Sequence, residues 1–290
     1  MSDLINRILA PTDFTVHANA ALETAADFAR TFDATLILLH VIDMPSYKAV
    51  FFEGDVHTPD EMAEVFAMDQ LQEIKKQSAF EGIEIQTIVA SGRIFSTIVE
   101  EAEKQTTDLI VMGAHGLSGL EQLVLGTNAR RVIHLTSIPV LTVKQPLKAS
   151  QVTKVAFASS FDQEYAFSFP SMYQYIEAFN AQINLVKVVT PGNFETTAYS
   201  KRTIDDFASS LSLQEFKPHI INAESIEEGL SWFCRQYNMD LLFMPTHGRT
   251  GIARIWSGSH TAKMRQEYGV PVFSLKMINM KKPDGVIFPE

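Results

Sequence analysis

The sequence predicts an α/β fold built as two tandem doubly wound domains, and three observations carry that prediction. Short apolar runs alternate with stretches of helical length, the pattern of right-handed βαβ crossovers around a parallel sheet covered on both faces. The same order of elements occurs twice along the chain. A length of 290 residues suits two domains of ordinary size, each with its own core.

In the first half, strands are expected at residues 7–10, 35–41, 84–89, 109–112 and 140–144. The fourth, Leu109-Ile110-Val111-Met112, is an apolar run short enough to be a buried strand. Helices are expected at 16–32, in a long connection ending near Phe80, at 94–105 and at 128–135. The second half reads strand 154–158, helix 163–179 and strand 183–189, followed by strands at 218–221, 241–244 and 270–275.

Laying Gly116 over Gly248 gives an offset of 132 residues that holds without a gap back to Val89 and Ile221. At the start of each half the offset is 147, so the first half carries 15 extra residues between its second and third strands. They fall within residues 44–69, a connection long enough for a lid or binding loop; the alternative is a surface excursion over a core edge. The expected division is residues 1–146, residues 152–277 and a tail at 278–290, with a short polar join at 145–151 that keeps the halves close.

Composition narrows the function classes. Hydrophobic residues make up 46% and charged residues 20%, as in an ordinary globular protein. The formal net charge is -10 with no dense stripe of Lys and Arg, which argues against binding a nucleic-acid backbone. The single cysteine, Cys234, excludes an intrachain disulfide framework and suits a reducing compartment; within L-S-W-F-C it reads as a small buried side chain. The N-terminus has no signal-peptide pattern and no apolar run reaches the ~18 residues of a membrane helix, so a cytoplasmic location is expected.

The most informative stretch follows the fourth strand. Gly113 ends that strand, Gly116 follows after two residues, and Gly126-Thr127 after nine more, directly before a helix that Thr127 or Asn128 is placed to cap. Glycines there let a bulky group touch bare backbone, and a helix start supplies unpaired N–H groups with partial positive charge. This Gly-x2-Gly-x9-Gly-Thr spacing resembles the nucleotide-binding signature of the universal stress protein family, as do the segments G-A-H-G-L-S-G, L-G-T-N-A-R-R-V-I and I-P-V-L-T-V-K.

The resemblance implies five-stranded parallel sheets of order 3-2-1-4-5, with ligand bound where the order reverses, between the first and fourth strands. It also implies a set of binding residues. Pro11, Thr12 and Asp13 end the first strand, with Asp13 at the adenosine end, and backbone at Val41 meets adenine. Gly113, His115, Gly116, Gly126, Thr127 and Asn128 cradle the phosphates. Asp13 also suits a helix-capping role, Gly92 reads as shape rather than contact, and His115 reads first as a loop histidine with one turn-stabilising bond and only second as a phosphate contact. Helix-terminal charge effects are only ~0.3–1 kcal/mol each, whereas a micromolar ligand requires roughly 8 kcal/mol. Loop, Asp13, Val41 and a magnesium ion are therefore expected to act together on ATP, with ADP and AMP left open.

In the second half, Asp13 is replaced by Ser160, Pro11-Thr12 by Ala158-Ser159, Gly92 by Glu224 and Gly113 by Pro245, while Gly248, Gly258 and Ser259 keep the nine-residue spacing. Weak or no nucleotide binding is expected there, and lone His247 and His260 make no metal site. The function the family resemblance implies is a nucleotide-dependent stress-response module acting on a protein partner. The two fifth strands, 140–143 and 272–275, are expected to pair within the chain as a pseudo-dimer, with a further homodimer left open. A slow ATP hydrolase or autophosphorylating protein and a nucleotide-free scaffold are the alternatives; no P-loop or kinase signature is present and no catalytic residue is assigned.

Overall fold

A computed structural model describes residues 4–43, 59–114, 126–246 and 269–276. In chain order its strands are β1 (Arg7–Pro11), β2 (Thr35–Asp43), β3 (Ile85–Gly92), β4 (Leu109–Gly113), β5 (Val140–Val143), β6 (Lys154–Ala158), β7 (Gln182–Val189), β8 (Lys217–Asn222), β9 (Leu241–Thr246) and β10 (Val272–Lys276). Its described helices are α1 (Val16–Phe32), α2 (Pro59–Lys75), α3 (Ile94–Lys104), α4 (Thr127–Leu135), α5 (Gln163–Ala178), α6 (Thr197–Ser210) and α7 (Ile226–Gln236). The strands form one sheet in the order β3-β2-β1-β4-β5-β10-β9-β6-β7-β8. Each half thus has the order 3-2-1-4-5, and the fifth strands meet at the centre.

Strand alternation divides the core into layers. Ile8 and Ala10 face a large cluster containing Ala25 and Phe28 of α1, Leu71 of α2, Phe169 of α5 and Phe207 of α6, so one face is shared by both halves. Leu9 turns to the opposite face, under α3 and α4. Ala156 and Val186 do the same under α7.

The central seam is antiparallel: Val272 pairs with Thr142, Phe273 with Leu141 and Ser274 with Val140. Phe273 is fully buried and lies 4.7 Å from Phe243 and 5.0 Å from Tyr175 by ring centroids. The Tyr175 hydroxyl donates to the Asp108 carbonyl at 3.4 Å, and Phe28 meets Phe179 at 5.5 Å. The join at 145–151 is docked rather than slack. Leu147 N–H donates to Thr24 Oγ1 at 3.0 Å and Ala149 N–H to Asp27 Oδ2 at 2.7 Å, both on α1.

Element ends differ from the sequence expectation more than element identities do. β3 runs on to Gly92 because β2 also continues, pairing Asp43 with Gly92. The helix expected to end near Phe80 stops at Lys75, and a separate 3-10 turn at Ser78–Phe80 buries Phe80. β9 passes through Pro245, which pairs with Leu275 of β10. The structure also reveals a repeated clamp. Asp108 Oδ2 accepts the N–H groups of Asn6 and Arg7, and Asp240 Oδ2 those of Thr153 and Lys154. Among the described residues no helix is long and apolar enough to cross a membrane.

Phe273→Ala should cost about 3–5 kcal/mol and lower the denaturant midpoint of both halves together; separate transitions, or a loss below about 1 kcal/mol, would show that the seam does not couple them. Alkaline stability gives a second check. Burial pushes the Cys234 thiol from 9.0 up to about 12; burial first, then the charge of Asp108, pushes the Tyr175 hydroxyl from 10.0 up to about 12. Both groups hold their proton more tightly when folded. Their contribution is therefore complete below about pH 9 and is lost as pH rises toward 12. Urea midpoints should fall across that window, less steeply in Tyr175→Phe.

Candidate functional site

The strand order reverses between β1 and β4, and Pro11 deepens the parting there. Thr12 N–H donates to the Leu39 carbonyl at 2.8 Å, so by alternation the Pro11 nitrogen faces β4. It has no hydrogen to donate, and the β1–β4 ladder stops at Leu9↔Ile110. In the second half Ala158 stands at this position, and the β6–β9 ladder runs one pair further, to Phe157↔Phe243.

One lip of the crevice is the turn after β1. Thr12 Oγ1 accepts the Phe14 N–H at 3.0 Å, and Asp13 Oδ1 accepts both the N–H and the hydroxyl of Thr15, at 3.1 and 2.6 Å. Thr15 in turn caps α1 by accepting from Ala18 N–H. The capping role considered for Asp13 thus belongs to Thr15, and Asp13 orients the cap. Both of its bonds fall on Oδ1, and the side chain is exposed. Phe14 holds φ at 61°, unfavourable for a bulky residue. Its ring stacks on His40 at 4.4 Å, whose Nδ1 donates to the Thr12 carbonyl at 2.9 Å. Phe14 and His40 are absent from the residues expected from sequence; a phenylalanine at the same place in both repeats, Phe14 and Phe161 at φ 63°, is the available signal.

The other contributions are backbone. The Leu39 carbonyl points toward β1, so Val41, two residues on, turns its N–H and C=O the same way. β1 has already ended there, its last pair with β2 being Pro11↔Leu39. On β4, Ile110 N–H donates to Pro139 and Ala114 N–H to Val143, both toward β5. Gly113, between them in alternation, faces the crevice. Gly126 N–H donates to the Ala114 carbonyl at 2.7 Å, tying together the two ends of the glycine-rich segment.

Gly126 is the N-cap of α4, with no side-chain cap bond. This corrects the expectation for Thr127 and Asn128: they are the first two helical residues, and their N–H groups belong to the unpaired first turn. Gly92 has φ 152°, and a Cβ there would lie 2.6 Å from Thr97 Oγ1, so shape alone requires glycine. His115 and Gly116 lie outside the described residues, as do 44–58 of the long connection.

The second half keeps the turn but exchanges its chemistry. Ser159 Oγ accepts the Phe161 N–H at 3.0 Å as Thr12 does for Phe14. Ser160 Oγ donates to Asp162 Oδ2 at 2.6 Å, the hydroxyl and carboxylate having swapped places relative to Asp13 and Thr15. The carboxylate now stands at the N-cap of α5. Leu242 N–H donates toward β10, so the Pro245 nitrogen faces the crevice, where Gly113 has an N–H. Glu224 is exposed just beyond β8; Gly248, Gly258, Ser259, His247 and His260 are outside the described residues.

Comparison with known proteins bears on the family and the fold. The family model described as the universal stress protein family matches residues 5–144. Universal stress protein MJ0531 of Methanocaldococcus jannaschii is 36% identical over 146 residues, 50% of this chain and 86% of that protein. A universal stress protein of Mycolicibacterium smegmatis is 21% identical over 285 residues, 93% of this chain and 96% of its own. The fold matches the crystal structure of a universal stress protein from Archaeoglobus fulgidus with a TM-score of 0.68 at 22% identity, covering 94% of this chain and 98% of that one.

If the Pro11 nitrogen is what stops the ladder, Pro11→Ala should add one β1–β4 pair. Amide exchange read by NMR should then show the N–H gained at position 11 protected to the level of Ala158. Rapid exchange of that N–H would mean that the parting is held open by something else.

Proposed function

The chain belongs to the universal stress protein family, and from that premise we propose that its first half binds an adenine nucleotide, ATP with magnesium, and passes the occupied state to a protein partner. What supports this reading is that the ladders turn the Gly113 N–H and the Val41 backbone toward the parting of β1 and β4, with Asp13 in the turn that ends β1 and the start of α4 tied to Ala114 at the end of β4. In this arrangement Val41 offers one donor and one acceptor to the edge of a planar base. Asp13 Oδ2 accepts from ribose hydroxyls while Oδ1 is held by Thr15.

Magnesium would offset the charge of a triphosphate, which the α4 start alone is too weak to balance. Asp13, the carboxylate of this lip and already held at Oδ1 by Thr15, would serve the sugar, and the metal would be held by the phosphates. Deeper opening at Pro11 and an extra donor at Gly113 favour the first half. The corresponding Ala158 and Pro245 favour a closed, donor-poor crevice in the second. The nucleotide acts as a ligand here, with ADP and AMP as competing occupants.

Titration calorimetry with magnesium and ATP should give one site per chain. Asp13→Ala and Gly126→Val should each weaken it by about tenfold or more, the scale of one charge-assisted hydrogen bond, while Ser160→Ala leaves it unchanged. Binding insensitive to both first-half substitutions would overturn the assignment, and sustained phosphate release lost in Asp13→Ala would replace a binding module with a hydrolase.

A further inference from the structure

A second feature of the first half lies on the outer side of α3 and α4. A groove of about 470 Å³ is lined by Arg93, Phe95, Arg131, His134 and Leu135, within the size range of sites that hold small ligands or a few side chains. Arg131 lies over the Phe95 ring at 4.7 Å and Arg93 over the same ring at 5.8 Å. Both arginines are exposed, and among the described residues no carboxylate pairs with either guanidinium. Leu135 is 50% exposed, an apolar edge beside two cations.

Helix stability does not explain this grouping. Arg93 is the N-cap residue of α3, makes no side-chain cap bond, and is followed by no acidic residue in the first turn. A cation at that end opposes the helix dipole. The repeat solves the same helix start in the opposite way. At the 132-residue offset Arg93 corresponds to Ser225 and Phe95 to Glu227; Ser225 caps α7 by accepting from Glu228 N–H, with Glu227 and Glu228 in its first turn. The fold therefore accommodates a neutralised corner, and the first half carries a cationic one on a chain of net charge -10.

The geometry points to a docking site for an acidic segment of a partner protein, with carboxylates on Arg93 and Arg131 and an apolar side chain against Phe95 and Leu135. Guanidinium forks suit carboxylates through paired hydrogen bonds, and stacking on Phe95 holds the forks in place. A nucleic-acid strand is the poorer fit, because backbone binding draws on a track of cations and the groove supplies two arginines at one aromatic ring. The site supplies a surface for the partner in the proposed function, and its binding is read apart from that of nucleotide.

The full chain, labelled with 15N, would be titrated with an acetylated and amidated hexapeptide of alternating Glu and Leu, with its Gln-for-Glu counterpart, and with a six-nucleotide single-stranded RNA. Saturable shifts at the amides of Arg93, Phe95, Arg131 and Leu135 are expected with the Glu peptide alone. Arg131→Gln and Arg93→Gln should each weaken it by about tenfold, with spectra elsewhere unchanged. The assignment is overturned by absence of saturable binding, by equal binding of the Gln peptide, by affinity unaffected in both variants, or by tighter binding of the RNA at these residues. Because ATP binding is read separately at Asp13 and Gly126, failure here leaves that reading standing, and the reverse holds.

Discussion

The antiparallel pairing of β5 with β10 is the constraint from which the rest of the architecture follows. Each five-stranded half would otherwise end in an exposed edge of unpaired backbone groups, a template for association. Joining the edges removes both and extends one face of the core across the chain, from Phe28 and Leu141 to Phe157 and Phe273. The join also sets direction. Strands within each half are parallel, so an antiparallel seam points the carboxyl ends of the two halves to opposite edges of the sheet. The halves share a core and not a crevice.

That separation lets the repeats diverge chemically without a common cost in stability. Their shared parts sit away from the crevices: Asp108 and Asp240 clamp the beginnings of β1 and β6 in the same way. Their differences gather at the carboxyl ends and concern individual backbone N–H groups. Pro11 withholds one and the β1–β4 ladder stops before it, whereas Pro245 withholds one at the position where Gly113 turns an N–H to the first crevice. The exchange of carboxylate and hydroxyl between Asp13–Thr15 and Ser160–Asp162 keeps the turn and moves the charge from the crevice to a helix start, where the dipole favours it. The ion pair of buried Lys187 with Glu195, at 2.8 Å, marks another divergence. Lys187 corresponds to His40 at the 147-residue offset and secures the β7–α6 connection, while His40 supports the turn of Asp13.

Much of the fold is legible in the sequence because its signals are local. Apolar runs bounded by turn residues announce most of the strands, and the paired offsets announce the repeat and the extra length in the first half. Strand ends are less legible, since a polar residue such as Ser91 joins a strand only when its neighbour continues beside it. The start of α4 differs from the expected one by one or two positions for a related reason. Thr127 has the side chain of a good cap, but the Gly126–Ala114 bond fixes the chain one residue earlier.

The sequence alone determined the repeat, the strand-and-helix alternation and the glycine spacing, because each depends on the order and identity of nearby residues. Which backbone groups face the crevice is decided by ladder partners far away in the chain: Leu39 for Thr12, Pro139 and Val143 for β4. The support of Phe14 by His40 and the meeting of Arg93 with Arg131 over Phe95 are likewise tertiary. Side chains carry their chemistry in their names. A backbone amide acquires its direction only when its neighbouring strand is in place.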